Sequence, residues 1–140
     1  MLNTLRQITQ ELNRATGLSG ALAIVVRRVK EYLAVDVCSV YLVDASGASC
    51  ILMATDGLDP KAVGRIQFGH REGLVGMVVE SGQPLSTTNA QQHPRFRYFP
   101  EYGEEAYHAF LGVPIVRYRR VLGVLAVRQT NDRTFTGGDE

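Results

Sequence analysis

The spacing of apolar residues changes along the chain, and each change marks an element. Leu2, Leu5, Ile8 and Leu12 recur every three or four positions, which predicts a first helix with one apolar stripe. Gly17 interrupts it. Ser19 is placed to cap a second helix running to Leu33, whose buried face is Leu22, Val25, Val26, Val29 and Leu33. The period then drops to two. VDVCSVYLVD at 35–44 and the run 50–56 predict a hairpin around an ASGA turn. DGLDPKAVG at 56–64 reads as a connector with one short helical turn, followed by a short strand at 65–68. EGLVGMVVESGQP at 72–84 is helical, with Leu74, Val75, Val78 and Val79 on one face. Gly82 sits where a left-handed cap belongs, and Pro84 forbids continuation. A short strand at 84–87 leads into the long irregular segment 88–108. Loops of that length in a compact domain are usually functional. Two apolar runs, 109–116 and 121–128, joined by RYRR, predict a second hairpin.

Hairpins with helices segregated around one antiparallel sheet define an α+β domain. At 140 residues the chain fits one domain, large enough to bury roughly two thirds of its unfolded surface. Hydrophobic residues at 45% and charged residues at 21% are globular values. A net charge of +1 gives no field for nucleic acid or an anionic membrane, so neither is an expected partner. No apolar run approaches the ~18 residues of a membrane span. The amphipathic, Glu-containing N-terminus does not read as a signal peptide, and two cysteines fit a reducing cytoplasm.

Candidate chemistry is sparse. His70, His93 and His108 lack any metal-ligand spacing, and no phosphate-binding loop, dinucleotide fingerprint or nucleophile elbow occurs. No catalytic residue and no metal site is therefore expected. With Asp44 paired to Ser49, Cys50 faces Val43, some ~17 Å along the ladder from Cys38. That exceeds the ~7 Å reach of a disulfide, so both read as buried thiols. Arg117, Arg119 and Arg120 around Tyr118 are a small footprint for nucleic acid and read as a solvated turn. Two features stand out. In HPRFRYFPE at 93–101, Arg95 and Arg97 lie among Phe96, Tyr98 and Phe99, which supplies either apolar walls with a fork for an acidic group or a loop pinned by its aromatics. Gly73 and Gly76 open the middle helix, which suits an anion at its N-terminus or close helix–sheet packing.

VDVCSVYLVD, EGLVGMVVESGQP, HPRF and FLGVPIVRYRRVLGVLAV, in that order, resemble GAF domains over nearly the whole chain. MLNTLRQITQELNRA, LAIVVRRVKEYLAVDVCSVYLVD, MATDGL and HPRFRYFPEYGEE are similar, more narrowly, to the N-terminal GAF domain of the nitrogen-type enzyme I of the bacterial phosphotransferase system. The resemblance implies a central antiparallel sheet with helices, including both termini, on one face and a ligand pocket with loops on the other. It implies one GAF domain over 1–140, with Phe135, Asp139 and Glu140 at the entrance of a further helix that the chain omits. The parent would be a magnesium-dependent phosphoenolpyruvate-protein phosphotransferase whose active histidine lies elsewhere. This piece would carry no cofactor and would regulate the parent by sensing nitrogen status, with glutamine or a related metabolite as effector. Tyr41, Met53, Thr55, Gly73, Leu74, Arg95, Phe96, Arg97, Tyr98, Tyr107 and Phe110 are the expected ligand-binding residues.

Departures narrow the alternatives. Asn131, Phe135, Asp139 and Glu140 match a cyclic-nucleotide motif whose lysine is Asp132 here. Free methionine sulfoxide reduction uses several pocket cysteines, and tetrapyrrole attachment needs a cysteine near the pocket helix, where none stands. A structural dimerisation module without ligand is the main rival, and a free methionine sulfoxide reductase-type GAF enzyme the second. In each case the stripe Leu2, Leu5, Ile8 and Leu12 predicts a homodimer, because so short a helix is marginal in water without packing.

Overall fold

The computed structural model describes residues 17–69, 72–90 and 109–129. Its elements are helix α1 (Gly17–Leu33), strands β1 (Val37–Val43) and β2 (Ser49–Asp56), a 3-10 turn (Pro60–Ala62) and strand β3 (Gln67–Gly69). Helix α2 (Gly73–Ser81) and strands β4 (Leu85–Thr87), β5 (Ala109–Arg117) and β6 (Arg120–Gln129) complete them. The described strands form one antiparallel sheet in the order β3-β2-β1-β6-β5-β4. The four long strands fall where the period-two runs put them. Ser19 lies inside α1 and does not cap it. The predicted first helix lies outside the described residues.

Alternation along β1 feeds two separate cores. Cys38 and Val40 point to the outer face and join Val26, Val35, Ala54, Ala109, Leu111 and Val127. Leu22, Val29 and Leu33 of α1 pack against that cluster, which is why the helix runs over β1 and β2. Lys30 Nζ, 3.1 Å from Asp56 Oδ1, ties α1 to the end of β2. Val37 and Tyr41 point to the inner face, with Leu52, Phe68, Leu74, Val75, Val78, Phe110, Val124 and Ala126. Helix α2 belongs to this inner side, so helices cover both faces of the sheet. The Gly82 N–H bonds to the Val78 carbonyl from a left-handed conformation (φ 65°), ending α2 as its glycine predicted.

One irregularity sets the inner face. Val40 pairs with Ala54 and Tyr41 with Leu52, so Met53 is an extra residue in β2. Strict alternation from Leu52 would turn Thr55 to the outer face. The bulge returns it to the inner face, opposite Ser39.

The centre of the sheet also leaves no room at one position. A Cβ built on Gly123 would fall on the carbonyl oxygen of Tyr41 and within 2.9 Å of the Leu42 side chain. Gly123→Ala must therefore push β6 away from β1. The variant should lose at least about 2 kcal/mol in urea unfolding, toward the upper end of overpacking effects. A loss below about 0.5 kcal/mol, the level of a neutral surface change, would show that the two strands are not packed this tightly.

Candidate functional site

Polar groups gather at one end of the inner face, where the sheet is otherwise apolar. Arg128 ends the run VLGVLAVR and, two positions after Ala126, points inward; it is 8% exposed. It stands opposite Val37 in β1 and Phe110 in β5. Its Nη2 donates to Tyr41 Oη at 3.2 Å, and its guanidinium carbon lies 5.7 Å from the centre of the Phe110 ring. A cation over an aromatic face contributes about 0.5–2 kcal/mol, more as water is excluded. Tyr41 is fully buried, and its ring meets Phe68 edge-on at 5.7 Å. That fixes the direction of its hydroxyl.

Beside this pair, Ser39 Oγ and Thr55 Oγ1 are 2.9 Å apart, and the Leu58 N–H reaches Thr55 Oγ1 at 3.4 Å. Ser39 is fully buried and stands opposite both Thr55 and Ala126. A hydroxyl buried without a partner costs about 1–3 kcal/mol. The Ser39–Thr55 pair removes that cost, and it exists because of the bulge at Met53. Four strands thus bring a guanidinium, a phenol and two aliphatic hydroxyls onto one surface with the Phe110 ring. These groups form one polar cluster beside an aromatic wall, with Ser39, Tyr41 and Phe110 fully buried and Thr55 half-buried at its edge.

The expected site residues divide clearly. Tyr41, Thr55 and Phe110 converge on this inner face. Gly73 and Leu74 are buried at the start of α2, where Gly73 adopts φ 66°, a left-handed value that favours glycine. Met53 is the half-buried bulge residue and belongs to neither core cluster. Arg95, Phe96, Arg97, Tyr98 and Tyr107 lie outside the described residues, as do His70, His93 and His108. Sequence reasoning passed over Ser39 and Arg128. The signal for Arg128 was present: a charge at an inward position of a strand otherwise filled with aliphatics.

The thiols sit apart from each other and from nucleophilic chemistry. Cys38 is opposite Asp56 on the outer face, and Cys50 is opposite Val43 on the inner face. Burial, followed by the charge of Asp56, pushes Cys38 up from 9.0 to about 12. Burial, followed by the charge of Asp44, pushes Cys50 up to about 11. Among the described residues no group of three His, Cys, Asp or Glu side chains is arranged to hold a metal ion. No helix among them is long and apolar enough to cross a membrane.

With this geometry in hand, comparison with known proteins is decisive. The sequence profile of the GAF domain matches residues 17–140. The chain belongs to the GAF domain family. It is 39% identical over 121 residues to a phosphoenolpyruvate-dependent phosphotransferase system protein of Escherichia coli (strain K12). That match covers 86% of this chain and 16% of the relative, so the chain spans a small part of that protein's length. It is 28% identical over 136 residues to the nitrogen fixation protein VnfA of Azotobacter vinelandii, covering 94% of this chain and 26% of the relative. Among solved structures, the GAF domain of a phosphoenolpyruvate-protein phosphotransferase from Coxiella burnetii superposes with a TM-score of 0.84 at 42% identity. There the match covers 99% of this chain and 83% of the other. The α+β architecture of the GAF fold, expected from the order of segments, is the one observed.

The raised thiols make a prediction. In the folded GAF domain both protons are held more tightly than in the unfolded chain. The stability they contribute is complete below the unfolded value near 9 and falls as pH rises through about 11 and about 12. At pH 8 the native domain should consume almost no thiol reagent until urea exposes both cysteines. Rapid titration of either thiol in the native state would contradict their placement.

Proposed function

We propose that this GAF domain binds a small polar metabolite on the inner face of its sheet and thereby regulates a phosphoenolpyruvate-dependent phosphotransferase of which it is a part. The observation that carries this reading is the gathering of buried Arg128, Tyr41 and Ser39 with half-buried Thr55, beside Phe110, on one face of an otherwise apolar sheet. A sheet serving only as a scaffold gains nothing from four polar side chains there, since each must be desolvated and repaired by a partner. The similarity to phosphotransferase GAF domains supports the parent activity. The relative with a nitrogen-fixation role supports nitrogen status as the signal. Glutamine or a related metabolite fits, because an amide and a carboxylate can use hydroxyls and a guanidinium. Arg95 and Arg97 of segment 88–108 are the proposed further anion contacts, with Phe96, Tyr98 and Tyr107 as walls.

A thermal-shift screen of amino acids, 2-oxoacids and nucleotides tests the reading. At 100 times its dissociation constant, a ligand adds about 2.7 kcal/mol of stability. The Ser39→Ala, Thr55→Val double variant removes both members of one hydrogen bond but also the acceptor of the Leu58 N–H, so it should stay folded with a loss of about 1–3 kcal/mol. It should lose most of the ligand-induced shift. A screen in which nothing shifts the wild type, or a double variant that responds in full, would count against the inner face.

Self-association is a second reading, favoured by the outer face. There Val29, Tyr32 and Leu33 of α1, with Leu111, Val113, Leu125 and Val127, line an apolar groove of about 210 Å³. Tyr32 is 87% exposed beside it. A twofold homodimer through this face is the proposed cover, together with the stripe Leu2, Leu5, Ile8 and Leu12. Sedimentation should show a dimer that Tyr32→Glu weakens about tenfold or more, as loss of an interfacial aromatic does. A wild type that stays monomeric across micromolar concentrations would refute it.

A further inference from the structure

The β5–β6 hairpin breaks local rules of stability at its tip, and it does so with residues suited to gripping a partner. Arg117 pairs with Arg120, leaving Tyr118 and Arg119 as a two-residue turn. Both have positive φ, 52° and 62°. A two-residue turn with both φ positive is normally Asn-Gly or a similar pair, because other residues are strained in the left-handed region. The flanking pair sets two arginines at directly opposite backbone positions, and like charges in that position destabilise a hairpin. No acidic group among the described residues forms an ion pair with Arg117, Arg119 or Arg120. Apolar side chains surround them in water: Val116 is 52% exposed, Tyr118 86% and Leu122 39%. Arg117 lies over the Tyr118 ring at 5.0 Å, which holds a cation and an aromatic face together at the outermost point.

We propose that this tip is a docking surface for an acidic protein segment that also carries apolar side chains. Strain kept at a surface turn, with the Arg117–Tyr118 stacking as the contact that offsets it, is the kind of local cost that functional sites retain. Tyr and Arg are the residues that dominate protein interfaces, and three guanidiniums on one turn select carboxylates. The aliphatic flanks distinguish the tip from a nucleic-acid or lipid-headgroup site, whose contacts are to phosphates and need a wider basic field than a chain of net charge +1 provides. The surface is separate from the inner face, and its role does not depend on any metabolite bound there.

The test uses fluorescence anisotropy with a labelled peptide that alternates Glu with Leu and Phe. A Lys-for-Glu counterpart, a single-stranded oligothymidylate and phosphatidylserine vesicles serve as controls. The domain should bind the acidic peptide, more weakly as salt rises, and ignore the controls. Arg117→Ala, Arg119→Ala, Arg120→Ala should weaken binding by about tenfold or more, as for loss of interface arginines. Tyr118→Asn, Arg119→Gly installs the preferred turn, so its melting temperature should rise while peptide binding falls. No binding by the wild type, equal binding by either variant, or a preference for the oligonucleotide or the vesicles would overturn the proposal. A lower melting temperature for the Asn-Gly variant would overturn the claim of strain on which it stands.

Discussion

Strand β1 is covered on both faces and paired along both edges, and the remainder of the domain is arranged around that confinement. Its residues from Val37 to Tyr41 are all buried, alternating between two cores that share no side chain. A slip of one residue in either neighbour would exchange the contents of the two faces, so register is strongly specified. The close approach of β6 at Gly123 fixes one side, and the bulge at Met53 fixes the other. The bulge also decides the chemistry, because it sets Thr55 against Ser39 and leaves neither hydroxyl orphaned.

The two faces then take different roles from the same strands. On the outer side, aliphatic residues meet α1, and the cover is apolar. On the inner side, Arg128, Tyr41, Ser39 and Thr55 interrupt the hydrocarbon at one end, with Arg128 opposite Phe110 at the start of β5. Family membership implies neither a ligand nor its identity. The reading for this chain rests on the Arg128 guanidinium near the end of β6, and on its reach to a phenol and an aromatic ring on two other strands.

Much of this could be read before the structure. Period-two runs located the long strands, Gly82 located the end of α2, and the pairing of Asp44 with Ser49 correctly separated Cys38 from Cys50. The bulge could not be read. ILMA at 51–54 is apolar throughout, so alternation carries no phase, and Met53 looked as much like an inward residue as Leu52. Phase restored by pairing with Tyr41 shows Leu52 and Thr55 facing inward together. Arg128 was legible by counting from Ala126, but a terminal arginine is ordinarily taken as the solvated end of a strand. Ser19 had the right chemistry for a cap and a position two residues inside the helix. The strain at Tyr118 and Arg119 is a matter of backbone angles that residue type alone predicts against.

Amide chemical-shift mapping during titration with an amino-acid and 2-oxoacid mixture tests the inner-face assignment most directly, because it reports location whatever the ligand's identity. Perturbations should concentrate at Ser39, Thr55, Phe110 and Arg128, and leave Val29, Leu33, Val113 and Leu125 unmoved. Shifts confined to those outer-face residues, or none anywhere in the domain, would contradict it.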